Sequence, residues 1–199
     1  PSGGPCRGSR AESSGVAFGQ GPGRAADRQI QAPTGQAFVA TLGGDPDQWW
    51  LLASDAGSGF RVRASDLLAN KKAGKAALTL PKGARVLRPS VITDADSDRL
   101  VALTREGRML VIAASDLPEF TRGKGNKLIG IRAKAAADRS EYLVDVLPVP
   151  HGGRVRRYSG KRHLNLRAAD LNAYEGERGR RGNKLPRGFQ NMDRIEPDE

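Results

Sequence analysis

The sequence predicts an all-β domain built from repeated, propeller-like blades, about three of them with the end of a fourth. Apolar runs of strand length alternate with breaks carrying Gly or Pro, and 25 glycines and 12 prolines among 199 residues suit many short strands better than a few long helices. The second observation is internal repetition. A hairpin, an Asp-Leu pair and a basic glycine loop recur in the same order, at the period of multi-stranded blades that cannot bury their faces alone.

Along the chain, residues 1–15 (PSGGPCRGSRAESSG) hold too little apolar surface to offset the entropy of ordering and are expected to be a disordered leader. Residues 16–195 are expected to form the folded domain and 196–199 an acidic tail. Strand-length runs fall at 36–42, 49–53, 60–64, 76–80, 100–104, 109–113, 127–131, 142–147 and 163–166. The first unit, 49–80, contains a strand, a turn at Gly57, a second strand, Ser65-Asp66-Leu67 and a basic stretch with Lys71, Lys72 and Lys75. The second, 99–131, repeats this with Gly107, Ser115-Asp116-Leu117 and a stretch with Arg122, Lys124 and Lys127. A more eroded third unit, 154–195, has Gly160, Ala169-Asp170-Leu171 and the loop ERGRRGNKLPRG at 177–188. The three aspartates stand 50 and 54 residues apart and are read as structural, accepting backbone hydrogen bonds in the turn after the strand. Phe18-Gly19-Gln20-Gly21 matches the Gly spacing of 122–125 and is read as the tail of a preceding unit.

The charge is uneven. Residues 1–48 balance Arg7, Arg10, Arg24 and Arg28 against Glu12, Asp27, Asp45 and Asp47, so the whole net charge of +11 lies on the repeat region. A polyanion is the partner this favours. No apolar run approaches the ~20 residues that span a bilayer, and the N-terminus lacks the apolar stretch of a secretory signal. Cys6 is the only cysteine, which excludes a disulfide framework or thiolate metal site within one chain and fits a soluble protein of a reducing cytoplasm.

The strings SDAGSGF (54–60), AGKAALTLP (73–81), GRMLVIAASDLPEFTRGKGNKLIGI (107–131) and GERGRRGNK (176–184) resemble the C-terminal domain of the A subunit of bacterial topoisomerase IV, a relative of the corresponding domain of gyrase. The resemblance implies a β-pinwheel, a propeller-like disc of four-stranded blades that exchange strands, with duplex DNA running around a basic rim. It implies a role in capturing and orienting DNA segments for ATP-dependent strand passage, decatenation and relaxation in chromosome segregation. The topoisomerase IV B subunit, the catalytic core of the A subunit, and ATP and Mg²⁺ in the holoenzyme are implied with it, as is a cytoplasmic, chromosome-associated location. Members of that family carry more blades than the units found here, so a partial disc is expected. The gyrase box, Gln-Arg-Arg-Gly-Gly-Lys-Gly, has only fragments here, Gly123-Lys124-Gly125 and Arg180-Arg181-Gly182, which makes gyrase-type negative supercoiling the less expected activity.

The chemistry in the chain is that of binding. Glycine loops let amides and neighbouring cations approach phosphates, and one such loop per blade would set contacts along a rim. The candidate DNA contacts are Lys71, Lys72 and Lys75; Arg122, Lys124 and Lys127; and Arg178, Arg180, Arg181, Lys184 and Arg187. Such contacts carry little sequence information, so recognition is expected to follow shape and charge. No catalytic or metal residues are assigned, and no cofactor is expected in this chain. Arg157-Tyr158 imitates the arginine-tyrosine pair of a topoisomerase nucleophile but falls on a repeat strand, His151 and His163 lack a third ligand, and the Asp94/Asp96/Asp98 turn lacks the glycine and glutamate of a calcium loop. A nucleotide loop is also missing. Two other readings compete: a propeller-type module whose basic rim binds an acidic protein, and an RNA-binding β protein, disfavoured by the scarcity of aromatic motifs.

Overall fold

The computed structural model describes residues 15–18, 38–42, 45–68, 75–160, 162–187 and 192–198. In chain order they form β1 (Gly15–Phe18), β2 (Phe38–Leu42), β3 (Trp49–Ser54), β4 (Ser58–Arg63), α1 (Ala64–Leu67), β5 (Ser90–Ile92), β6 (Arg99–Thr104) and β7 (Arg108–Ala113). Then follow β8 (Asn126–Lys127), α2 (Ala133–Ala137), β9 (Leu143–Val149), β10 (Arg154–Ser159), β11 (Arg162–Leu166), α3 (Ala168–Asn172), β12 (Asn183–Lys184) and β13 (Arg194–Asp198). The helices are single turns, as the sequence predicts.

Each unit is nucleated by its hairpin. Gly57 (φ +85°) and Gly107 (φ +73°) take the left-handed conformation, and their amides donate to the carbonyls of Ser54 and Thr104. A loop closed by a left-handed glycine suits the twist of the strands it joins. The hairpin β3–β4 gains β5 on one edge and β8 on the other, giving the order β5-β3-β4-β8; β6–β7 likewise gives β12-β7-β6-β9. Both outer strands, β8 and β12, read Asn-Lys and come from the following unit. Strands are thus exchanged between neighbours. Blade 3 has the order β11-β10-β13, and a two-stranded parallel sheet, β1–β2, precedes blade 1.

The core lies between blades rather than within them. Leu51 and Ala53 of blade 1 face Leu100, Ala102, Leu110 and Ile112 of blade 2, with Leu128, Ile129 and Ile131 closing the cluster. The opposite face of blade 2, Val101, Leu103, Met109 and Val111, packs on Val155, Leu166, Leu171 and Ile195 of blade 3. A third cluster joins Leu42 to Trp50, Leu52, Phe60 and Val62. Blade 2 is therefore buried on both faces, which is why β6 and β7 read as unbroken apolar runs instead of alternating.

Several expected boundaries change. Of 76–80 and 127–131, only Leu78 (one bridge to Gly123) and Lys127 (in β8) pair as β structure. Leu128, Ile129 and Ile131 are buried beneath the Gly57 turn, the Leu128 amide donating to the Gly57 carbonyl, so their apolarity serves an irregular core segment. Glu196–Asp198 are not a separate tail; they continue β13 along β10, where Arg156 pairs with Asp198. Residues 1–14, most of the expected leader, and Gly19–Gly21 lie outside the described residues.

One position on β9 is expected to make stability depend on pH. Asp145 on β9 is partly buried, and desolvation pushes its carboxyl up to about 6 despite the Val146 amide and nearby Arg88, which hold it down. An acid with a raised folded-state pKa contributes stability that is complete below its unfolded value and is lost as pH rises through the folded value. The Asp145→Asn variant is therefore expected to gain roughly 1–3 kcal/mol over the parent between pH 4 and pH 8, a shift of about two pKa units at ~1.4 kcal/mol each being the ceiling. Thermal melts of both proteins across that range check this. Asp94, Asp138 and Asp193, whose pKa values are lowered chiefly by hydrogen bonds, are common to both and cancel. A difference that does not vary with pH would contradict the assignment.

Candidate nucleic-acid interface

The second basic glycine loop has backbone contacts on both sides. Ala77 and Thr79, in the described segment that follows Lys75, hydrogen-bond to the backbone of Gly123, at 2.9 Å each. The second and third meet in the same way: the Gly179 amide donates to the Leu128 carbonyl at 2.9 Å, Gly130 to the Arg180 carbonyl at 2.7 Å, and the Arg178 guanidinium to the Lys127 carbonyl at 3.2 Å. Among the described residues, the second and third loops thus meet although they are far apart in sequence, and the segment from Lys75 to Thr79 adjoins the second.

Two of their glycines have a role within the protein itself. Gly125 (φ +74°) and Gly182 (φ +73°) each begin a Gly-Asn-Lys strand and lie against the preceding blade's backbone. A Cβ on Gly125 would overlap the Gly59 carbonyl, and one on Gly182 would sit 2.5 Å from the Met109 oxygen. These glycines bring the exchanged strand onto the blade edge; the close approach they permit is to protein backbone.

The cations divide into two groups. Arg122, Lys124, Lys127, Lys184 and Arg187 are exposed and make no side-chain hydrogen bond or ion pair among the described residues. Lys75 is exposed and donates to the Asp66 carbonyl at 2.6 Å. Arg180 pairs with Glu177 at 3.0 Å, but both side chains are about three-quarters exposed, so the pair is weak and screened. Arg181 is different: it bridges Glu106 at 3.3 Å and the fully buried Glu141 at 3.1 Å, tying the third loop to the second unit. It is a structural cation, whose partners no local sequence pattern reveals. Lys71 and Lys72 lie outside the described residues.

Sequence reasoning missed two features nearby. Trp49 carries two guanidinium groups on its ring, Arg61 at 5.1 Å and Arg63 at 4.5 Å. Lys82 and Arg139 line the same cleft as Lys124 and Lys127. Neither lies in a glycine loop of the repeat, so the repeat could not point to them.

Arg157 and Tyr158 do not form a catalytic pair. Arg157 is wholly buried beside Met109, whereas Tyr158 lies on the opposite face of β10 beneath the Arg194 guanidinium at 4.1 Å. Asp170 accepts the Arg167 amide at 2.9 Å, the turn role expected of it, whereas the carboxylates of Asp66 and Asp116 accept no hydrogen bond among the described residues, so that role does not extend to the first two units. The Asp94 carboxylate accepts from the Asp96 amide and the Ser97 hydroxyl, so that turn is satisfied internally. Among the described residues no group of three His, Cys, Asp or Glu could hold a metal ion, and no helix is long and apolar enough to cross a membrane.

The family described as DNA gyrase C-terminal domain, beta-propeller, matches residues 48–93 and 98–150, the first two units. The DNA topoisomerase 4 A subunit of Pseudomonas aeruginosa is 47% identical over 176 residues, covering 88% of this chain and 23% of that protein. Its counterpart in Escherichia coli K12 is 43% identical over 179 residues, covering 90% and 24%. The chain thus spans about a quarter of the length of these relatives. Among solved structures, the E. coli ParC C-terminal domain aligns with a TM-score of 0.72 and 45% identity over 78% of this chain and 62% of that one.

Proposed function

The chain belongs to the DNA gyrase C-terminal domain family of β-propellers, and from that premise we propose that it binds and bends duplex DNA, largely without regard to sequence, as the C-terminal domain of the A subunit of a topoisomerase IV. The observation that carries the reading is the pair of hydrogen-bonded basic loops, the second and third, whose Arg122, Lys124, Lys127, Lys184 and Arg187 are exposed and unpaired among the described residues. Cations spaced along one edge neutralise successive phosphates and favour a duplex curved to follow them.

In the whole enzyme this domain would present a DNA segment to the cleavage core and to the ATP-driven partner protein for strand passage, serving decatenation and relaxation in the bacterial cytoplasm. ATP and Mg²⁺ belong, on this reading, to those other parts.

The reading is tested by competition among a relaxed duplex, a single strand of equal length and an acidic polypeptide for the pure chain. Duplex is expected to win, with no change in plasmid linking number when ATP and Mg²⁺ are added. Preference for the acidic polypeptide would favour a protein-interaction module instead.

A further inference from the structure

A cleft of about 270 Å³ between blade 1 and the segment that leads into β9 of blade 2 is lined by Lys82, Lys124 and Lys127. Alanines, including those of α2, also line it. All three lysines are exposed, and none makes an ion pair or side-chain hydrogen bond among the described residues. The acid of the lining is already neutralised: Asp55 accepts from Arg139 at 2.9 Å and from the Arg85 amide at 2.7 Å. Arg139 is further fixed by the Gly83 carbonyl at 3.1 Å and by Tyr142 beneath it at 4.8 Å. The lysines therefore line the cleft with no internal counter-charge, and the space takes a phosphate group with several waters at ~30 Å³ each.

The repeat supplies an internal comparison. Ala56 lines this cleft and precedes the turn glycine Gly57; the residue before Gly107 in the next blade is Glu106. Lys124 precedes the strand glycine Gly125; the residue before Gly182 is Arg181. At the second junction Glu106 and Glu141 neutralise Arg181. At the first, alanine stands in place of the glutamate and the lysine is left without a carboxylate. The same architecture is closed by its own acids at one junction and accessible to an external anion at the other.

We propose that the cleft between blades 1 and 2 is an anion subsite that grips a backbone phosphate of duplex DNA through Lys82, Lys124 and Lys127, and that the residue before the turn glycine decides whether a junction is open or closed. This rests on the DNA-binding reading and adds to it a contact, Lys82, outside the repeated loops, and a preferred junction.

The test is Ala56→Glu, with Ala56→Gln as its neutral isostere and Lys82→Ala as a separate probe. Glutamate occupies the same turn position in blade 2, so the fold accepts it, and a melting curve checks this. In the parent chain and in Ala56→Gln, inorganic pyrophosphate is expected to shift the amide resonances of Ala56 (or its replacement) and Gly57; in Ala56→Glu it is not. Ala56→Glu should weaken duplex binding about tenfold near 0.1 M salt and flatten the slope of log affinity against log salt by about 1–2, and Lys82→Ala should flatten it by about 1. Unchanged affinity and slope in Ala56→Glu, or an equal loss in Ala56→Gln, would overturn the proposal. If the parent chain bound no duplex while pyrophosphate still shifted these amides, the anion site would stand and its DNA occupant would be overturned.

Discussion

Replacing Arg181 with alanine is expected to destabilise the domain by about 2–4 kcal/mol, because it strands a buried carboxylate. Glu141 has no exposed surface, its Oε2 accepts from Arg181 at 3.1 Å, and its Oε1 has no partner among the described residues. The desolvation of this charge is offset mainly by one guanidinium, itself about one-third exposed. That exposure keeps the expected loss below the ~3–5 kcal/mol typical when a fully buried pair is broken. Glu141→Gln in the Arg181→Ala background removes the stranded charge and should recover most of the loss. Urea unfolding of the parent, the two single variants and the double variant gives the cycle. Additive losses would mean that the two groups do not depend on each other.

A comparable loss, about 2–4 kcal/mol each, is expected for Gly125→Ala and Gly182→Ala, which add backbone overlap to the strain of a left-handed alanine. In each case the added methyl meets the backbone of the preceding blade, at Gly59 or at Met109, which cannot move aside as a side chain tip can. The exchanged strand would have to leave the blade edge. Gly83 and Gly152 separate the two causes, since each has positive φ (+78° and +79°) with open space around its would-be Cβ. Alanine at either should cost only about 1 kcal/mol, the left-handed strain alone. Equal losses at all four positions would show that overlap contributes nothing and that strand exchange does not depend on these glycines.

The architecture was legible because it is written in local chemistry. Gly57 and Gly107 mark hairpins through the left-handed turns they adopt, and the unbroken apolar run of β6 marks a blade buried on both faces. Strands β8 and β12 were not legible as strands of the preceding blade, since two-residue pairings to a distant edge leave no periodicity to read. The candidate interface was legible in part for the same reason. Arg122, Lys124, Lys127, Lys184 and Arg187 were found as charge in glycine loops, and they are exposed, unpaired cations of the structure. Arg181 has the same sequence signature, yet is engaged by Glu106 and Glu141 from 75 and 40 residues away. Charge pattern shows where a cation lies in the chain, but tertiary contact decides whether it is free.

The central claim is that the exposed cations of these loops bind DNA phosphates, and the slope of log duplex affinity against log salt measures this most directly. For a chain with Arg122, Lys124, Lys184 and Arg187 all changed to alanine, and Arg181 left in place to preserve the fold, the slope should flatten by about 3–4 relative to the parent, at close to one unit per phosphate contact. Its melting temperature should be nearly unchanged, because none of the four side chains holds a partner among the described residues. A well-folded variant with the parent's slope would contradict the account, since those charges would then be solvated surface and nothing more.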